Sequence, residues 1–259
     1  MPSQHNSISR PLLTRILAYP RSFVWAIATL TTTFFFGSFG IVVAFFLPYR
    51  LRYRWFSLWS LSLVWYARIL CGVRWEVEGK EHIPDKPAVV LSKHQSAWET
   101  LFLQSLFIPQ TWVLKKELMS IPFLGWALKL LEPIAIDRNN VRQSMRDIVS
   151  QGSIKLEQGR WVVIFPEGTR VAPGQITRFR RGGFVLATQS NAQIVPIAHN
   201  AGEFWPKNSF LKYPGLITLR IGKPLSTCDR DPDELLKSVQ DWININSAAV
   251  SEQSDCANH

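Results

Sequence analysis

Residues 88–100 read AVVLSKHQSAWET. The first four are a continuous run of apolar side chains closing on Ser92, and the turn after them holds a lysine, a histidine and, a few positions on, a glutamate. A second run of the same kind, WVVIF at 161–165, is also followed by a polar turn, reading PEGTR at 166–170. Short runs with apolar residues on both faces belong to strands covered on both sides, the pattern of an α/β sheet. Working outward, the sequence predicts strands at 74–78, 88–92, 111–115, 133–137, 161–165, 193–199 and 217–221. Helices are expected near 96–107, 122–131, 141–158, 182–190 and 233–250. The expected fold is therefore α/β, a mixed β-sheet covered by helices. Ligands in such folds gather at the C-terminal ends of strands, which is where the polar turns fall. No G-x-G-x-x-G or G-x-x-x-x-G-K-[ST] loop occurs, so dinucleotide and P-loop nucleotide chemistry lose their best signal.

The chain has 259 residues and a formal net charge of +10. Residues 1–75 hold eight arginines (10, 15, 21, 50, 52, 54, 68 and 74) and no acidic residue, so the rest of the chain is nearly neutral. A basic N-terminal segment on a balanced body disfavours a nucleic-acid footprint on that body. From Ser22 through Tyr49 no residue is Asp, Glu, Lys or Arg, and about 20 apolar residues suffice to cross a bilayer. A cleavable signal peptide has a shorter apolar core of roughly 7–15 residues. A second apolar stretch, 55–72, adds tryptophans 55, 59 and 65, whose indoles favour the headgroup level. The expectation is a membrane-embedded helical hairpin over 1–73 and a folded body over 74–259. Arginines flank the first run on both sides, so charge does not set an orientation. A hairpin dipping into one leaflet, on the cytosolic face of the inner or plasma membrane, is preferred to a transmembrane helix because it keeps every arginine on one anionic surface. Cys71, Cys228 and Cys256 are odd in number and widely spaced, which suggests neither a disulfide framework nor a zinc site.

Three features could carry chemistry. His94 and Glu99 are five positions apart, about 140° around a regular helix, and meet only if His94 lies in the turn and Glu99 in the first helical turn. A carboxylate on one imidazole nitrogen would leave the other as a base, but Ser96–Glu99 also reads as an S-x-x-E capping box. The turn PEGTR offers glycine amides, a hydroxyl and an arginine, as an anion site needs, although such a segment is by default only a turn. Cations follow several strands: Lys115, Lys116, Arg138, Arg178, Arg180 and Arg181. Each alone reads as solvated surface charge, and several on one side of a sheet suit an anionic ligand.

Together these residues resemble the glycerophospholipid acyltransferase family, the 1-acyl-glycerol-3-phosphate acyltransferases. His94 and Glu99 correspond to its His-x4-Asp block, with Glu in place of Asp. The second block resembles KKELMSIPFLG (115–125) with PIAIDR (133–138), the third is FPEGTR (165–170), and the fourth resembles IVPIAHN (194–200). The blocks occur in family order. The resemblance implies that His94 deprotonates a lysophospholipid hydroxyl for attack on the thioester of acyl-CoA or acyl carrier protein, with Glu99 orienting it. It also implies that Lys115, Arg138, Glu167, Gly168, Thr169 and Arg170 hold the glycerol phosphate of lysophosphatidic acid, with membrane lipids as surroundings and no metal or cofactor. Two other readings stay open: acyl transfer to another lysolipid or an aminoacyl lipid, and a non-catalytic lipid-binding protein.

Overall fold

The computed structural model describes residues 10–256 except 122, 123 and 138. Two long helices open the chain, α1 (Leu12–Phe46) and α2 (Tyr49–Cys71), and α2 ends on Gly72, whose left-handed φ of 73° lets its N–H close on the last turn. The body then alternates: β1 (Val73–Glu78), β2 (Val89–Ser92), α3 (Trp98–Phe102), β3 (Gln110–Lys115), α4 (Leu124–Leu130), β4 (Ile134–Ile136), α5 (Val141–Glu157), β5 (Trp161–Ile164), α6 (Gly182–Gln189), β6 (Ile194–His199), α7 (Ala201–Phe204), β7 (Gly215–Ile221) and α8 (Pro232–Cys256). The strands lie in the order β1-β7-β6-β2-β5-β3-β4. Neighbours are parallel except β6 and β7, so the sheet is mixed, as expected, and β2, β5 and β6 bring their C-terminal ends to one edge.

Why the central strands read as unbroken apolar runs is now plain. Val90 and Val163 face one core with Tyr53, Phe56 and Val64 of α2 and Trp98 and Phe102 of α3. Val89, Leu91, Val162 and Ile164 face the other, against Ile148 of α5, Phe184 and Leu186 of α6, and Leu235, Val239 and Ile243 of α8. Alternate side chains enter opposite cores.

The N-terminal helices pack against each other as an antiparallel hairpin. Trp25 Nε1 donates to the Leu63 carbonyl (3.1 Å), Trp59 Nε1 donates to Thr33 Oγ1 (3.0 Å), and Gly40 lies so close to Trp55 that an added Cβ would stand 2.1 Å from its Nε1. Both helices are fastened to the body. Tyr53 OH donates to the Gln104 carbonyl, and the Lys212 backbone N–H donates to Ser22 Oγ. The Lys212 ammonium sits 3.7 Å from the Trp25 ring centroid. The outer face of α1 exposes Leu13, Ile16, Phe23, Leu30 and Phe34. Among the described residues no helix is long and apolar enough to cross a membrane. Thr29, Thr31, Thr32, Thr33 and Ser38 dilute the apolar run of α1, and α2 carries Arg50, Arg52, Arg54 and Arg68. A transmembrane helix is thus not supported.

Candidate active site

The turn after β2 places His94 directly over the sheet edge. Its ring stacks on Phe165 at the end of β5, with centroids 4.0 Å apart and planes 18° from parallel. Its Nδ1 lies 2.8 Å from Glu99 Oε1, so Nδ1–H donates and Nε2 keeps its lone pair. The same Glu99 oxygen accepts the backbone N–H groups of Gln95 (3.0 Å) and Ser96 (2.9 Å). The capping-box and His-orienting readings of Glu99 are therefore not alternatives, because one oxygen serves both. Ser96 Oγ in turn accepts from the Trp98 N–H and donates to the Trp205 carbonyl.

Glu99 is enclosed, with His199 Nε2 at 4.0 Å from its second oxygen. Burial alone would raise the Glu99 carboxyl, but the His94 hydrogen bond and the Ser96 amide oppose it, and the group is held below the usual carboxylate range. His199 is a fully buried neutral imidazole. Its Nδ1 accepts the Ala201 N–H (3.2 Å), so its Nε2–H donates to the Lys93 carbonyl (2.8 Å), and burial pushes its pKa down.

His94 lines a cavity of about 940 Å³. The walls are apolar, supplied by Leu30 and Phe34 of α1, Phe56 and Trp59 of α2, Leu101 of α3 and Leu128 of α4. Leu30 and Phe34 are at the same time exposed on the molecular surface, so the cavity opens beside the apolar outer face of α1. Its few cations are Lys115, Arg170 and Arg180. A long apolar cavity ending on a base and a cluster of cations can hold an acyl chain and an anionic headgroup together.

The residues expected to hold phosphate divide. Gly168 lines the cavity in a left-handed turn (φ 73°), and a Cβ there would come within 2.5 Å of Arg180 Nε. Arg170 also lines it. Lys115 lines it too, but its ammonium pairs with Glu117 at 3.1 Å. Thr169 is exposed and outside the cavity wall. Arg138 lies outside the described residues. Glu167 requires a correction: its side chain is fully enclosed, turned away from the cavity, with Lys93 Nζ 3.3 Å from Oε1. Pro166 and Gly168 set the turn so that the side chain between them points inward, where burial pushes its carboxyl up against the opposing pull of Lys93. Sequence reasoning missed Lys93, His199 and the cavity position of Arg180. Adjacency to His94 was the only signal for the first, and the IVPIAHN block the only one for the second.

Fold and site together define an α/β protein with a hydrogen-bonded His–Glu pair beside an apolar cavity. A family profile described as Acyltransferase matches residues 74–200. The chain is 42% identical over 254 residues to a 1-acyl-sn-glycerol-3-phosphate acyltransferase of Pseudomonas aeruginosa, covering 96% of this chain and 95% of that one. It is 30% identical over 229 residues to a protein of the same name from Saccharomyces cerevisiae, covering 85% of this chain and 73% of the other. The crystal structure of the 1-acyl-sn-glycerophosphate (LPA) acyltransferase from Thermotoga maritima superposes with a TM-score of 0.72 at 20% identity, covering 92% of this chain and 98% of that one, and so shares the fold. The chain belongs to the 1-acyl-sn-glycerol-3-phosphate acyltransferase family and is an acyltransferase. The non-catalytic lipid-binding reading is set aside.

Proposed function

We propose that the protein transfers a fatty acyl group from the thioester of acyl-CoA or acyl carrier protein to the free hydroxyl of 1-acyl-glycerol-3-phosphate, giving phosphatidic acid for phospholipid synthesis. The observation that carries this is His94, held by Glu99 through Nδ1, at an apolar cavity that also bears Arg170 and Arg180. Nε2 of His94 takes the hydroxyl proton as the oxygen attacks the thioester carbonyl. The tetrahedral intermediate collapses, the C–S bond breaks, and the imidazolium returns its proton to the departing thiolate. Glu99, held ionised, supports the imidazolium between these steps. Arg170 and Arg180, with the Gly168 amide, bind the acceptor phosphate, and Lys115 adds charge. The proposed chemistry takes no metal and no cofactor beyond the acyl donor.

The hairpin of residues 1–73 is read as the membrane-binding part and residues 74–259 as the catalytic body. The exposed apolar face of α1, without an acidic residue in the first 75 positions, supports shallow insertion into the cytosolic leaflet, with lipids entering the cavity beside Leu30 and Phe34.

The test is thiol release from acyl-CoA and from acyl carrier protein, with and without lysophosphatidic acid, and with other lysolipids or an aminoacyl lipid as competitors. Release that depends on lysophosphatidic acid supports the reading. Equal or faster release with a different acceptor replaces the acceptor.

A further inference from the structure

Lys93 and Glu167 form a buried ion pair under the catalytic turn, with the two side chains 3% and 0% exposed. The Lys93 ammonium, 3.3 Å from Oε1, is the main opposing charge for this fully enclosed carboxylate. A phosphate ligand would gain nothing from a carboxylate, since the charges repel. Nor does stability explain the pair, because isolated buried ion pairs recover their desolvation cost poorly and often lose to apolar replacements. Its position in the fold is more telling. Lys93 precedes His94, Glu167 follows the Phe165 that stacks on His94, and the two sit on turns from adjacent strands, β2 and β5. The Val171 N–H donates to the His94 carbonyl at 2.8 Å, the Lys93 carbonyl accepts from His199, and Lys93 Nζ also donates to the Gln175 carbonyl and Asn244 Oδ1, both at 3.4 Å. The Val171 and Gln175 bonds already join the two turns through backbone atoms, and the His94–Phe165 stack joins them at the cavity; the ion pair adds a buried charged contact between their side chains.

We propose that Lys93 and Glu167 are positioning residues for His94: they lock the turn after β2 to the turn after β5 and so fix the imidazole against the cavity. The inference rests on the reading of His94 as the base. It assigns Glu167 to the support of the base and removes it from the acceptor-binding set.

The experiment measures kcat and acceptor KM for full-length protein in lipid vesicles, with acyl-CoA and lysophosphatidic acid. The variants are His94→Ala, Glu167→Gln, Lys93→Met and the double Lys93→Met/Glu167→Gln. Each single change at the pair lowers kcat by about 10²-fold, the scale of a misplaced catalytic group, and leaves acceptor KM within about two-fold. The double variant regains about ten-fold over either single, because it leaves no uncompensated buried charge. A Glu167→Gln protein with raised acceptor KM and unchanged kcat overturns the inference, as does a double variant that loses the product of the single losses. If circular dichroism shows Glu167→Gln unfolded, Glu167→Asp takes its place, keeping the charge but shortening the reach; a folded Asp variant with wild-type kcat also overturns it. An active His94→Ala protein removes the base and this inference together, whereas an inactive one beside an unaffected Glu167→Gln removes the inference alone.

Discussion

The hairpin and the catalytic turns lie on the same cavity and are held in opposite ways. The hairpin is joined to the body through aromatic and apolar contacts, with hydrogen bonds from Tyr53 OH to the Gln104 carbonyl and from the Lys212 N–H to Ser22 Oγ, and it leaves one face of α1 bare. The catalytic turns bury charge: Glu99, Lys93, Glu167 and His199 are all enclosed, each meeting a named partner across a few ångströms. On its bare outer face the first region can vary in side chain so long as it stays apolar. The second tolerates almost no change, because an unpaired polar atom there costs more than a lost contact at a surface. Chemistry should therefore fail from the turns, and attachment from the hairpin.

The sharpest test of that division is His94→Ala. Turnover should fall about 10³-fold in thiol release, while sedimentation with vesicles stays as in the unaltered protein; a parallel loss of vesicle binding breaks the comparison. Glu99→Gln comes next. An amide oxygen can still accept from Gln95 and Ser96, so the turn survives, but the carboxylate charge facing His94 goes, and turnover should drop by about 10²-fold. The same change has a pH signature. Glu99 is held below its ordinary value of 4.5, so it contributes stability that is full above that value and lost as pH falls through the lower folded value. Thermal melts across acid pH should show a shallower decline for the Gln variant.

Smaller effects belong to the hairpin. Ile16→Glu together with Phe23→Glu, both on the exposed face of α1, should weaken vesicle binding by about ten-fold or more, since each bulky side chain contributes about 1.5–3 kcal/mol when removed from water. Turnover on detergent-dispersed substrates should stay close to normal, and a loss there as large as on vesicles would merge the two regions. Smallest is Gly40→Ala. The new methyl would crowd the Trp55 indole and should cost about 1–3 kcal/mol, read as a lower melting temperature with the His94–Glu99 chemistry intact.

Much of the body was legible in the sequence because its strands are continuous apolar runs, and all seven expected strands lie where the sheet has them. The helix expected over 96–107 is cut short at Phe102 and continues as a 3₁₀ turn at Leu103–Ser105. There Ser105 Oγ donates to the Phe102 carbonyl and Gln104 Nε2 to the Thr100 carbonyl, local bonds that compete with the regular helix and that periodicity does not reveal. α7 is only four residues long, too short to carry a period. The reversal between β6 and β7 was equally hidden, since a buried strand reads alike in either direction. His94 and Glu99 could be paired from spacing and strand position. Glu167 is a different case: the resemblance alone put it among the phosphate ligands, and its burial against Lys93, a lysine that reads as a surface charge after a strand, is not visible in the sequence.

That α1 and α2 supply walls of the cavity has a consequence for how the chain can be cut or evolved. The hairpin is not a detachable anchor. Deleting it to obtain a freely soluble body would remove Leu30, Phe34, Phe56 and Trp59 from the cavity wall and lay open the core that Tyr53 and Val64 close. The remainder would gain an apolar surface instead of losing one. Trimming the apolar outer face of α1 and preserving the reaction are opposing demands on the same helix at Leu30 and Phe34, where a change to the outer surface reshapes, in the same stroke, the space beside the histidine.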